Sequence, residues 1–231
     1  MENSLSQKNS NDLSISGILK SLLPVLRSRY LYIGLAVLAV GVSLSFWSQI
    51  YLHNSMSRGV MFPTLSDMIL DSVPVIDVAL AYDLTCIFIY AIVIVYIIHR
   101  KQYSRIPLFL VLAGIFYALR AVFVVLTPMG NPPNFNGSDP LFNGFMKYEL
   151  GVYPSGHVGN TFLLLLQVYD KKYRNLLYLC LLIVIAALIL THCHYSIDIL
   201  SGFIFAYALK SFGYKHLKMF NIDETYQYGE R

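Results

Sequence analysis

The feature that most constrains this chain is a series of six apolar runs, each approaching the roughly 20 residues a helix needs to cross a bilayer. They fall at about Leu31–Leu52, Ile76–Ile98, Pro107–Thr127, Val158–Tyr169, Leu176–Leu190 and Ile197–Phe212. Only 13% of the residues are charged, against about 25% in a soluble domain. The chain therefore reads as an all-α polytopic membrane protein, a single six-transmembrane-helix bundle. The expected organisation is a polar and amphipathic leader over 1–29, a membrane domain over 30–213 and a tail over 214–231. Within the leader, Ile18 to Leu26 suits either the membrane surface or a short solvated helix. A polar leader precedes the first apolar run, so no signal peptide is expected. The fourth run is short, which predicts that its helix starts before His157.

Basic residues give the orientation. Lys8, Lys20, Arg27 and Arg29 precede the first run. Arg100, Lys101 and Arg105 follow the second, and Lys171, Lys172 and Arg174 follow the fourth. Lys210, Lys215 and Lys218 close the chain, while the opposite loops carry only Arg58 and Lys147. By the positive-inside rule both the N- and C-termini are expected to be cytosolic. The net charge of +4 largely reflects this asymmetry and gives no reason to invoke nucleic acid. Tyr30, Tyr32, Tyr51, Tyr103 and Tyr148 lie where an aromatic belt belongs. Cys86, Cys180 and Cys193 share no pairing or metal spacing and read as free thiols. Asn136-Gly137-Ser138 is a glycosylation sequon on the side opposite the basic residues.

Chemistry concentrates in two short polar stretches that this topology places at the same, non-cytosolic face. Tyr153-Pro154-Ser155-Gly156-His157 opens the fourth run, and His192-Cys193-His194-Tyr195-Ser196-Ile197-Asp198 opens the sixth. His194 and Asp198 are four apart, so on a helix they share a face. Ser155 and Gly156 suit an N-cap and close backbone approach, and a helix N-terminus favours an anion such as phosphate. Arg120 lies thirteen residues after Pro107, about 20 Å across and in the outer half of the bilayer. A buried guanidinium there marks a lipid-phosphate site or an ion pair with Asp83. Asp67, Asp71 and Asp77 fit either an outer mouth that attracts a cationic head group or an ordinary solvated loop. His192 raises a three-histidine metal site with His157 and His194, but residues two apart point to different helix faces. No metal or cofactor is expected.

Together these motifs resemble the sphingomyelin synthase branch of the type 2 phosphatidic-acid phosphatase superfamily. Pro63-Thr64-Leu65-Ser66-Asp67 is similar to the family's proline-rich segment after the first span. Leu119-Arg120-Ala121 through Leu126-Thr127-Pro128 is similar to its third-span arginine segment. The resemblance covers roughly Met61 to Lys210. It implies that His194 is the nucleophile, forming a phosphohistidine that Asp198 orients and stabilises. His157 would protonate the leaving alkoxide and then deprotonate the acceptor hydroxyl. Arg120, Ser155, Gly156 and Tyr195 are expected around the phosphate. The implied partners are membrane lipids: a glycerophospholipid donor, a ceramide-like acceptor and diacylglycerol as product. Phosphatase members carry a Lys-x6-Arg-Pro motif and a Ser-Arg pair just before the nucleophile. Here that pair is replaced by Ala187 and Leu188, and no Lys-x6-Arg-Pro occurs, which favours the synthase branch.

Three readings follow. The first is a lipid phosphotransferase moving phosphocholine or phosphoethanolamine. The second is a lipid phosphate phosphatase, in which water intercepts the phosphohistidine. The third is a non-catalytic protein that binds or moves lipid, which has no need of two histidines and an aspartate at one face. Head group, acceptor and oligomeric state stay open.

Overall fold

The computed structural model describes residues 15–135 and 153–221. The sequon at Asn136, together with Lys147 and Tyr148, lies outside the described residues. Among the described residues seven α-helices form the framework: α1 (Ile15–Arg27), α2 (Arg29–Ser57), α3 (Ala79–His99), α4 (Ile106–Leu126), α5 (Gly156–Leu165), α6 (Lys171–Leu190) and α7 (Ser196–His216). No strand occurs among the described residues. The helices alternate in direction, so the starts of α3, α5 and α7 and the ends of α2, α4 and α6 share one face.

Four helical stretches are long and apolar enough to cross a membrane: Arg29–Ser57, Ala79–His99, Tyr103–Leu126 and Lys171–Leu190. Their outward surfaces carry large apolar side chains such as Leu84, Ile94, Leu182 and Leu179, more than half exposed. That is a surface for lipid, not water. The chain is thus a membrane-embedded helical protein. The other two expected runs differ. α5 has only 10 residues, about 15 Å, and it is buried, with Val158 and Leu163 fully enclosed. Because neighbouring helices surround it, it needs no lipid-facing length of its own. α7 is long enough but carries Asp198 and Lys210 among its apolar residues. Its helix continues past 213 to His216, and Phe220 returns to pack its ring on Tyr30 at 5.5 Å.

Packing sorts the helices into pairs. α2 lies along α4, and Gly41 meets Gly114 at the crossing. A Cβ on Gly41 would fall 2.0 Å from the Gly114 carbonyl oxygen. Small residues at such a crossing let membrane helices exchange close van der Waals contact where no hydrophobic drive separates helix from lipid. α3 instead leans on α6, and a core of Ile89, Val93, Leu177, Leu181 and Val184 fills that seam. α5 sits between the pairs and packs on α7. At the opposite end α1 docks through Val25 against Leu31 and Tyr103, leaving Leu19, Leu23 and Leu26 exposed as an apolar face.

The end of the bundle away from the polar motifs is where the basic residues collect. Arg100 pairs with Asp170, and Asp170 also caps α6 by accepting from the Lys172 and Tyr173 amides. Arg105 hydrogen-bonds the Tyr214 hydroxyl and lies 4.4 Å over the Tyr169 ring. His99 Nδ1 meets the Tyr173 hydroxyl at 2.9 Å. Cys86, Cys180 and Cys193 form no disulfide.

Candidate active site

Ser155 is extended and caps α5, its hydroxyl accepting from the Val158 amide at 3.4 Å. The helix therefore begins at Gly156 and holds His157 in its first turn, as the short fourth run requires. α7 begins in a related way. Tyr195 is extended at the N-cap, and Asp198 in the first turn reaches back to accept the Tyr195 amide at 2.8 Å. This is the carboxylate half of a capping box. The same oxygen of Asp198 faces His194 Nδ1 at 3.4 Å. His194 thus lies just outside the helix, and its contact with Asp198 comes from the folded-back cap rather than from a shared helical face. A carboxylate only accepts, so Nδ1 carries a proton, and in the neutral ring Nε2 then holds the lone pair.

The two motifs are pinned together by backbone. The Ser155 amide donates to the Asp198 carbonyl at 3.0 Å. One turn on, Gly159 and Gly202 touch: a Cβ on Gly202 would sit 3.0 Å from the Gly159 nitrogen. A side chain at Gly202 would press on the α5 backbone, and one at Gly159 would collide with the Phe116 ring of α4, 2.2 Å from its Cβ. In consequence the His157 and His194 rings lie 5.8 Å apart, edge to face at 70°. Tyr82 of α3 packs against the other side of His157 at 5.2 Å.

Arg120 stands behind this turn. Its Nε donates to the Pro154 carbonyl at 3.1 Å and its Nη1 to the Ser45 hydroxyl at 3.1 Å. Gly156 leaves it room, because a Cβ there would come within 3.1 Å of Nε. Arg120 is six residues before the end of α4, about 9 Å along the helix. Tyr82 is the fourth residue of α3, about 5 Å in. The site is therefore recessed below that face of the bundle, by between roughly 5 and 9 Å.

Tyr195, expected around the phosphate, has its side chain engaged within the protein. Its side chain is 1% exposed, and its hydroxyl accepts from the Leu65 amide at 3.0 Å and donates to the Gly130 carbonyl at 3.2 Å. It ties the loop after α2 to the start of α7. Asp67 is buried rather than a freely solvated loop residue, and both of its carboxylate oxygens are engaged. One carboxylate oxygen accepts the Ser196 amide at 2.6 Å and its hydroxyl at 2.8 Å, and the other accepts the Ile69 and Leu70 amides. Asp77 has a local use as well, accepting the Ala79 amide where α3 starts.

His192 turns away from the other two histidines. Its ring nitrogens face the Pro133 and Val73 carbonyls at 3.3 and 3.2 Å. Among the described residues, no group of three His, Cys, Asp or Glu side chains could hold a metal ion. Tyr82 and Ser45, which complete the surroundings of His157 and Arg120, stand in apolar runs where nothing in the local pattern marks them. No protein-family model matches the chain, and no curated protein matches it either.

The arrangement offers an imidazole with a free nucleophilic nitrogen, a carboxylate behind it and a second imidazole within one ring's reach. It also offers a guanidinium beside the second imidazole. Such a set suits proton transfer and nucleophilic attack on a tetrahedral anion.

Asp67 gives a direct check on how the loop is held. Its partial burial pushes its carboxyl up, but bonds from Ser196, Leu70 and Ile69 outweigh that and hold it below the ordinary value of 3.8. A lowered carboxyl stabilises the fold above its unfolded value, and the contribution disappears as pH falls through the lower folded value. In Asp67→Asn one acceptor oxygen becomes an NH2 donor, so either the Ser196 pair or the Ile69 and Leu70 amides lose their acceptor, and the bonds that survive lose the charge. Charge-assisted bonds contribute about 1.5–3 kcal/mol, and about 1.4 kcal/mol is a factor of ten. Amide exchange at Ile69, Leu70 and Ser196 should therefore quicken about tenfold or more at pH 7. Unchanged exchange would mean that other contacts hold the loop.

Proposed function

We propose that the chain is a lipid phosphotransferase of the sphingomyelin synthase type. In this reading it moves a phospho-head group, phosphocholine or phosphoethanolamine, from a glycerophospholipid to ceramide or a related lipid hydroxyl. The observation that carries the proposal is the juxtaposition of His157 and His194, rings 5.8 Å apart, with Asp198 on the far nitrogen of His194.

His194 Nε2 attacks phosphorus, and the bond from phosphorus to the glycerol oxygen breaks. His157 gives that oxygen a proton and diacylglycerol leaves. The acceptor hydroxyl then gives its proton to His157, its oxygen attacks phosphorus, and the phosphorus–nitrogen bond breaks to restore His194. Asp198 keeps the Nδ1 proton in place and offsets the charge that His194 gains. Arg120 and the N-terminus of α5 add positive potential where the phosphate sits. Ser155 and Gly156 shape that helix start. Transfer prevails over hydrolysis only where water is kept out and a lipid hydroxyl is let in. A site recessed among apolar helices suits that demand, and the missing phosphatase arginines suit a diester better than an exposed phosphate monoester. The alternative remains a lipid phosphate phosphatase of the same superfamily.

The same reading takes α5 and α7, with their flanking residues, as two further crossings, giving six. It puts both termini and the basic end of the bundle in the cytosol, with the site at the non-cytosolic face. Met61 is 92% exposed at the site's end of the bundle. In a cysteine-free background, Met61→Cys should react with an impermeant thiol reagent outside intact cells, and Lys171→Cys only after permeabilisation. The reverse pattern would move the chemistry to the cytosolic leaflet.

Reconstituted protein should convert a labelled phospholipid donor to a new phospholipid only when a long-chain alcohol such as ceramide is present. Phosphatidic acid should be a poor substrate. His194→Ala and Asp198→Asn should each lower turnover on the order of a hundredfold or more. The double variant should be little worse than His194→Ala, because the pair acts as a unit. Fast phosphate release from phosphatidic acid, without acceptor-dependent product, would favour the phosphatase.

A further inference from the structure

The contact pattern leaves a gap between the α2–α4 pair and α3. A cavity of about 410 Å³ occupies it, with Val42 of α2, Val93 and Ile97 of α3, and Leu110 and Ala113 of α4 among its walls. Along α4 it reaches from Ile106 to Tyr117, about 16 Å at the helical rise. Most of its wall comes from three helices of membrane-crossing length, with Asn160 and Leu164 of the short α5 closing it, and no charged side chain lines it. Its polar groups are Ser45, Tyr90, Tyr117 and Asn160. Asn160 donates to the Tyr90 hydroxyl at 2.6 Å, and Tyr90 also hydrogen-bonds Tyr117.

This polar cluster adjoins the candidate active site. Asn160 is one turn below His157 on α5, and Ser45 receives the hydrogen bond from Arg120. From there the cavity runs toward the basic end of the bundle, away from the histidines. We infer that this groove binds the hydrocarbon chain of a neutral lipid alcohol, with the Tyr90–Asn160 pair meeting its hydroxyl, ester or amide. The inference rests on the phosphotransferase reading for the identity of the alcohol, which leaves as diacylglycerol or enters as the ceramide-like acceptor.

Three features favour this occupant. A charged head group would have to shed its water into an uncharged groove at large cost, whereas an alcohol can exchange neutral hydrogen bonds with Tyr90 and Asn160. The recess of the site draws a lipid's polar end below the membrane surface, so its chain must continue deeper than in free bilayer. The groove supplies that depth, starting one turn from the histidine that would exchange a proton with the alcohol.

The test uses the full-length protein in phosphatidylcholine nanodiscs and a diacylglycerol analogue bearing a diazirine midway along one chain. Irradiation should label residues of α2, α3 and α4 that line the groove, and unlabelled diacylglycerol should compete. Ala113→Trp, at the middle of the groove, should cut that labelling at least fivefold. Val42→Trp, at the exposed rim, gives a second plug should the first fail to fold. Labelling confined to outward residues such as Leu84 and Leu182, and indifferent to competitor, would overturn the inference. Groove labelling without any transfer activity would uphold the binding site and count against the phosphotransferase. Transfer activity with no groove labelling would do the opposite.

Discussion

The site depends on how closely α5 and α7 approach at their N-terminal ends. Gly159 against Gly202 sets the distance, and the bond from the Ser155 amide to the Asp198 carbonyl sets the register. Both histidines sit on the turns so fixed, one inside α5 and one just before α7. Their rings meet because the two backbones do. A side chain at Gly202 would press on the α5 backbone at Ser155 and Gly159, the stretch that carries the proposed acid, and one at Gly159 would meet the Phe116 ring of α4 first.

Two carboxylates then hold the second motif in shape, and both act through backbone amides first. Asp198 accepts the Tyr195 amide at 2.8 Å and meets His194 at a longer 3.4 Å. Asp67, from the loop after α2, takes both donors of Ser196. Tyr195 adds a third tie through its hydroxyl to Leu65 and Gly130. The α2–α4 crossing contributes at a distance. By bringing Ser45 under Arg120, it gives a guanidinium placed deep among apolar helices a hydrogen-bond partner, where an unsatisfied charge would be costly. Arg120 in turn holds the Pro154 carbonyl, and so the turn on which His157 stands.

Much of this was legible because membrane burial leaves strong marks in sequence. Long apolar runs announce α2, α3, α4 and α6, and Ser155 before Gly156 announces the start of α5. The alternation of helices also puts both histidine motifs at one end, as counting the runs implies. The short α5 was harder to read as a span, since a buried helix need not match the bilayer's thickness. The resemblance points Tyr195 at the phosphate, and residue type leaves Asp67 as a solvated or cation-attracting acid; neither signal reveals the bonds these side chains make. Their partners Leu65, Gly130 and Ser196 lie far away in the chain, and only the folded loop reveals them. Tyr82 and Ser45 carry no local signal because a polar group on an apolar helix face looks the same whatever it touches. The gap beside α3 follows from helix pairing, which hydropathy does not encode.

The central claim is that His194 carries the head group between donor and acceptor, with His157 as its acid. A phosphodiester with an activated leaving group, such as p-nitrophenyl phosphocholine, needs no acid to depart. Mixed with the His157→Ala variant, it should give a burst of about one nitrophenol per protein. Intact-mass and tandem mass spectrometry should then place one phosphocholine adduct on His194. The adduct should be absent from His157→Ala combined with His194→Ala. An adduct on another residue, or a burst that survives loss of His194, would contradict the account.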